Sequence, residues 1–74
     1  MAYRTALSPQ EFSSAVAALG FEYLETSCYC TTYFRGGDLL SIEEPEGEVY
    51  EDLEIATDFR LTDAELAALK ARKL

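Results

Sequence analysis

Two helix-start signals, one near each end of the chain, constrain the fold more than anything else in this sequence. The first is Ser8-Pro9-Gln10-Glu11 and the second is Thr62-Asp63-Ala64-Glu65. Each is a capping box: the hydroxyl and the glutamate three residues on satisfy each other's orphan backbone donors. Pro9 adds a preset φ at the first helical position. Leu7 with Phe12, and Leu61 with Leu66, supply the apolar pair that staples the entering chain to the first turns. Phe12, Ala15, Val16 and Leu19 then recur at helical spacing, and Gly20 stands where a left-handed cap belongs, with Phe21 folding back towards Val16. A helix is predicted over roughly 9–19. A second is predicted from Thr62 onward, with Leu66 and Leu69 as its apolar stripe. Asp63 and Glu65 sit at its positive end, and Lys70, Arg72 and Lys73 at its negative end.

The stretch between the helices reads as sheet. Phe21 to Phe34 is rich in aromatic and β-branched residues, which suit a pleated, half-buried surface. It is long for one strand, so a bend or turn is expected near Glu25-Thr26-Ser27. Alternation places Cys28, Cys30, Thr32 and Phe34 on one face and Tyr29, Thr31 and Tyr33 on the other. Arg35-Gly36-Gly37-Asp38 is a hairpin turn, and Leu39 to Glu43 is the returning strand. Pro45-Glu46-Gly47 reads as a second turn. Glu48–Ala56 fits either a strand or a helical face; the flanking turns and its Val, Tyr and Ile favour the strand. The expectation is an α+β domain spanning residues 1–74: a small antiparallel three-stranded sheet with an N-terminal and a C-terminal helix (α-β-β-β-α). One sheet face is then left for solvent or a partner.

Seventy-four residues, 49% of them hydrophobic, suffice for one small core. Such a domain buries only about 60% of its unfolded surface, so pairing with a second copy is one way to add to that core. A monomer or weak homodimer is expected. Neither a signal peptide nor a membrane span is expected: Met1-Ala2-Tyr3-Arg4 is not followed by an apolar h-region, and no apolar run approaches the roughly 20 residues that a span needs. A cytoplasmic location with reduced thiols at Cys28 and Cys30 is the resulting expectation.

The chemistry-bearing residues exclude more than they include. There is no histidine, and the chain has no lysine before Lys70, so neither cysteine has a sequence-level base partner. Cys28 and Cys30 are read as two small apolar core residues on one strand face. Cys-x-Cys without a second pair is a poor zinc pattern, and 43–54 lacks the ligand spacing of a calcium loop. Paired carboxylates need a cleft deeper than so short a chain can build. Gly36-Gly37 leads into Asp38, which would repel a phosphate. No enzyme activity, cofactor or metal is expected.

Charge is the remaining signal. Fourteen acids face six bases, a net charge of −8. Direct binding to nucleic acid or an anionic membrane would be repulsive. The acids are lopsided: the first 37 residues hold three of them, and residues 38–65 hold eleven against one base, Arg60. Seven fall within the twelve residues from Glu43 to Glu54. Carboxylates at alternate strand positions recur about every 6.6 Å. DNA phosphates recur about every 3.4 Å of axis along each strand. A basic groove built for DNA could therefore accept such a surface, with Tyr50 and Phe59 as desolvated anchors. The candidate partner-binding residues are Asp38, Glu43, Glu44, Glu46, Glu48, Glu51, Asp52, Glu54 and Asp58.

In length, acidic profile and lack of a catalytic constellation, the chain resembles small phage-encoded anti-CRISPR proteins of the DNA-mimic kind. That resemblance implies an inhibitor of DNA or PAM recognition by a type I Cascade complex, acting in the host bacterial cytoplasm. The alternative is a small acidic adaptor or antitoxin-like protein. It would bind a protein partner through its open sheet face, with Tyr29 and Tyr33, or Leu69 and Leu74, as contacts.

Overall fold

The computed structural model describes residues 1–44 and 51–74. Its element order is β1 (Ala2–Thr5), α1 (Pro9–Ala18), β2 (Glu22–Ser27), β3 (Cys30–Arg35), β4 (Asp38–Glu43), β5 (Leu53–Thr57), α2 (Asp63–Ala68) and β6 (Ala71–Lys73). The strands form one sheet in the order β2-β3-β4-β5-β1-β6, antiparallel at every pairing. The α+β class matches the expectation, and the three-stranded detail is corrected to six strands among the described residues.

Both helix starts form as the capping boxes require. Glu11 N–H donates to Ser8 Oγ and Ser8 N–H to Glu11 Oε1; the same exchange joins Thr62 and Glu65. α1 ends in a Schellman motif: Gly20 N–H donates to Ala17 O and Phe21 N–H to Val16 O. Gly20 takes φ +90° there, which a side chain would resist.

The C-terminal expectation fails in an instructive way. Ala67 to Leu74 has good helix formers, yet α2 stops at Ala68 and Lys70 turns to φ 45°. The chain then enters β6 beside β1. Lys70, Arg72 and Lys73 therefore do not form the last helical turn, and the dipole reading made for them is wrong. What overrides propensity is a set of long-range bonds: Thr5 Oγ1 donates to Leu69 O, Ala6 N–H to Lys70 O and Leu74 N–H to Ala2 O. Lys70 occupies the position where glycine is preferred. We expect Lys70→Gly to stabilise the fold by about 0.5–1 kcal/mol, read as a raised urea midpoint at unchanged slope. A lowered midpoint would show that the lysine side chain contributes more than its backbone strain costs.

β1 and β6 were missed because they are four and three residues long and carry almost no alternation of their own. Tyr3 and Thr5 acquire an inside only by pairing with Ile55 and Leu53. The bend expected near residues 25–27 is a two-residue turn at Cys28-Tyr29, both at positive φ, with a bulge at Leu24 one strand before it. The strand reading of 48–56 holds for Leu53–Ala56 within β5 and not for Glu51 and Asp52, which precede the strand. The Pro45-Glu46-Gly47 turn and residues 48–50 lie outside the described residues.

Alternation sorts the sheet into two faces. Tyr3, Thr5, Thr31, Tyr33, Leu40, Ile42, Leu53, Ile55 and Thr57 are buried beneath Phe12 and Val16 of α1, with Leu61 and Leu69 closing the second end. Tyr3 ties its hydroxyl into this core by accepting the Leu61 N–H at 3.0 Å. The opposite face has no helix on it among the described residues. Cys30, Thr32 and Phe34 share that open face as expected, but Cys28 sits in the turn and is exposed. The core placement read for the two cysteines is corrected: Cys30 is half-buried on the open face. No helix among the described residues is long and apolar enough to cross a membrane.

Candidate functional site

The strand directions decide where the acids go. β4 ends and β5 begins at the same end of the sheet, together with the end of β1, the start of α1 and the β2–β3 turn. Glu43, Glu44, Glu51, Asp52 and Glu54 therefore gather at this one end. Glu46 and Glu48 lie outside the described residues. Asp38 and Asp58 are carried to the opposite end, beside the β3–β4 turn and the exit of β5. The nine candidate residues are thus not one face. The structure brings five of them together and separates two.

Most of these carboxylates already have a partner within the chain. Glu43 accepts the Glu54 N–H at 3.1 Å. Glu44 accepts from the Thr31 hydroxyl, and its own N–H donates to Tyr29 O. Asp52 pairs with Arg72, and Glu54 lies 3.9 Å from Arg4. At the far end Asp38 sits 3.6 Å from Arg35, and Asp58 accepts the Leu39 N–H at 2.9 Å, tying β4 to the chain leaving β5. Glu51 is exposed and lines a shallow cleft with Asp52, Glu11 and the Thr5–Pro9 segment. The cleft is about 320 Å³. Its walls carry carboxylates and a helix start already capped by its own serine and glutamate, so it offers an anion nothing.

Arg4 and Arg72 are the residues that reading along the chain missed. They stand 48 and 20 positions from Asp52, yet Arg4 donates to Asp52 O at 3.0 Å and Arg72 reaches the Asp52 carboxylate. The acidic run has no base within it, but β1 and β6 bring two bases to its exit. No local sequence signal reports this; it needs the β5-β1-β6 pairing. Exposed pairs of this kind contribute at most about 1 kcal/mol each. Their larger effect is to lower the negative potential on the open-face side of the acidic end.

A second charged cluster lies at the opposite end. Arg35, one-third exposed, reaches Glu65 at 2.7 Å and Asp38 at 3.6 Å, and donates to Leu19 O at the end of α1. Its guanidinium lies 4.3 Å from the centre of the Phe21 ring and 5.9 Å from that of Phe59. Glu65 is only 7% exposed. Burial pushes the Glu65 carboxyl up, but bonds from the Thr62 backbone and Arg35 outweigh it and hold the group below the usual carboxylate range. This cluster joins β3, α1 and α2, and its groups are consumed by one another. Phe59, an anchor candidate from the sequence, stacks on Phe21 inside it.

Cys28 and Cys30 are free thiols. Among the described residues, no three Cys, Asp or Glu side chains converge closely enough to hold a metal ion. Among the described residues the exposed large apolar side chains are Tyr23, Leu24, Tyr29, Leu39, Met1 and Leu74. Tyr29 projects from the β2–β3 turn at the acidic end with 68% of its surface free, and Tyr33, its expected companion, is buried. Comparison with protein-family models, with curated proteins and with solved structures finds no match for this chain.

Proposed function

We propose that this protein is a non-enzymatic inhibitor that presents its acidic end to a basic, nucleic-acid-binding groove of another protein. The observation that supports it is the convergence of Glu43, Glu44, Glu51, Asp52 and Glu54 at one end of the sheet, with Tyr29 exposed beside them. Glu43 and Glu54 stand on paired strands and lose little further entropy on binding, and an aromatic next to them supplies the desolvated contact that charge alone lacks. The groove's natural occupant is a phosphate backbone, so the inhibitor competes with DNA and acts without chemistry of its own. An anti-CRISPR that blocks target-DNA or PAM recognition by a type I Cascade complex in the bacterial cytoplasm is the specific form of this reading.

The test is direct. Purified Cascade complex is titrated with the protein in the presence of fluorescent target duplex, over a salt series. Displacement of the duplex, with an inhibition constant that weakens steeply as salt rises, is the expected result. A complex that leaves DNA bound, or one insensitive to salt, would sink the mimic mechanism.

A further inference from the structure

The helix-free face of the sheet has an internal symmetry of charge that its amino-acid order conceals. Across four adjacent strands, β6-β1-β5-β4, one row runs Arg72, Arg4, Glu54, Glu43. Two bases are followed by two acids, in a row whose charges sum to zero. The neighbouring row holds Ala2, Ala56 and Ser41, all small, and leads to Thr32. Within a protein of net charge −8 this one row is thus balanced, and it borders a strip of small side chains on the face that carries no helix among the described residues.

We propose that this face docks a second copy of the chain. A two-fold axis parallel to the strands, passing between β1 and β5, reverses the strand order while keeping each row level. It sets Arg4 against Glu54 of the second copy and Arg72 against its Glu43, and each contact recurs by symmetry. The row of small residues meets itself, so two sheets pack face to face without bulky groups to hold them apart. The alternation of two bases and two acids is self-complementary only in this orientation. Shifting the second copy by one strand sets at least one pair of like charges opposed. Four strands of each sheet overlap and β2 and β3 overhang, so the contact is small and the dimer weak.

The geometry carries a consequence for the acidic end. The rotation leaves strand direction unchanged, so both copies point Glu44, Glu51 and Asp52 the same way. Glu43 and Glu54 then lie between the sheets, so the dimer presents Glu44, Glu51 and Asp52, and the full five-acid end belongs to the monomer. The dimer then presents two acidic ends side by side.

Sedimentation equilibrium on the full chain, up to about 1 mM, tests this. The parent should show reversible dimerisation. The pair of changes Arg4→Glu and Arg72→Glu should raise the dimer dissociation constant by about 100-fold, as should the pair Glu43→Arg and Glu54→Arg. Mixing the two doubly substituted proteins should restore a one-to-one dimer. Their net charges are −12 and −4 by arithmetic from −8, so only local complementarity could join them. Ala56→Arg, at an exposed strand position, should leave the melting temperature within a few degrees and abolish the dimer. A parent that stays monomeric at the highest concentration, or doubly substituted proteins that do not combine while each melts like the parent, would overturn the proposal.

Discussion

Replacing Arg35 by alanine should cost about 3 kcal/mol and lower the melting temperature by roughly 12–24 °C. The change removes more than one contact. Glu65 loses the guanidinium 2.7 Å away while staying 7% exposed. Leu19 O, at the end of α1, loses its donor, and Phe21 loses the cation above its ring. Breaking one side of a buried ion pair ordinarily costs about 3–5 kcal/mol, because a charge is left without compensation. The lower figure applies here because the Arg35 side chain is 33% exposed and water can partly replace it. Arg35→Lys should recover only part of the loss, since an ammonium cannot reach Glu65 and Leu19 O while stacking on Phe21. A drop of less than about 4 °C for the alanine variant would show the cluster to be a passive surface pair.

The same cluster sets an acid limit. The Glu65 carboxyl is held below its ordinary value in the folded chain, through its bonds with the Thr62 backbone and Arg35. A group with a depressed folded pKa contributes stability above its unfolded value, about 4.5, and loses it as pH falls through the folded value. Glu11 is shifted the same way by its bonds with Ser8. Stability should therefore decline from about pH 4.5 downward. Glu65→Gln should lower stability at neutral pH and flatten that decline, as chemical denaturation at a series of pH values would read. A decline of unchanged steepness in the variant would place the acid-sensitive group elsewhere.

The second large effect concerns binding. Glu46→Lys, Glu48→Lys and Glu51→Lys together should weaken the proposed inhibitory complex by about 100-fold. Each reversal removes an attraction and adds a repulsion, each taken at about 0.5 kcal/mol, and the sum over three residues is roughly 3 kcal/mol. Asp52 is left in place because its carboxylate holds Arg72, so a loss on changing it would mix folding with binding. The melting temperature should stay near the parent's while the salt dependence of inhibition becomes shallower. Equal inhibition by parent and triple variant would remove Glu51 and the acidic run before it from the mechanism and turn attention to Tyr29 and the open face.

What could be read along the chain was whatever physics acts over a few residues. The two capping boxes, the Gly20 cap and the Arg35–Asp38 hairpin each satisfy backbone groups with neighbours three or four positions away, and each forms where the residues said it would. Residue type and turn signals likewise pointed to β3 and β4, whereas the periodicity of 48–56 fitted strand and helix alike and only its flanking turns and its Val, Tyr and Ile favoured the strand found in β5. Tertiary structure alone decided the rest. Ala2–Thr5 and Ala71–Lys73 have too few residues to declare a strand and become strands only because β5 offers an open edge, first to β1 and through it to β6. That pairing stops α2 at Ala68 against the propensity of the residues that follow. It also carries Arg4 and Arg72 to an acidic segment that contains no base. Chain order showed that the acids are concentrated; strand direction decided that five of them share an end, that Asp38 and Asp58 do not, and which already hold a partner. Charge along a sequence is a one-dimensional count, whereas the potential a protein presents depends on long-range pairing, and that is set by burial across the whole sheet.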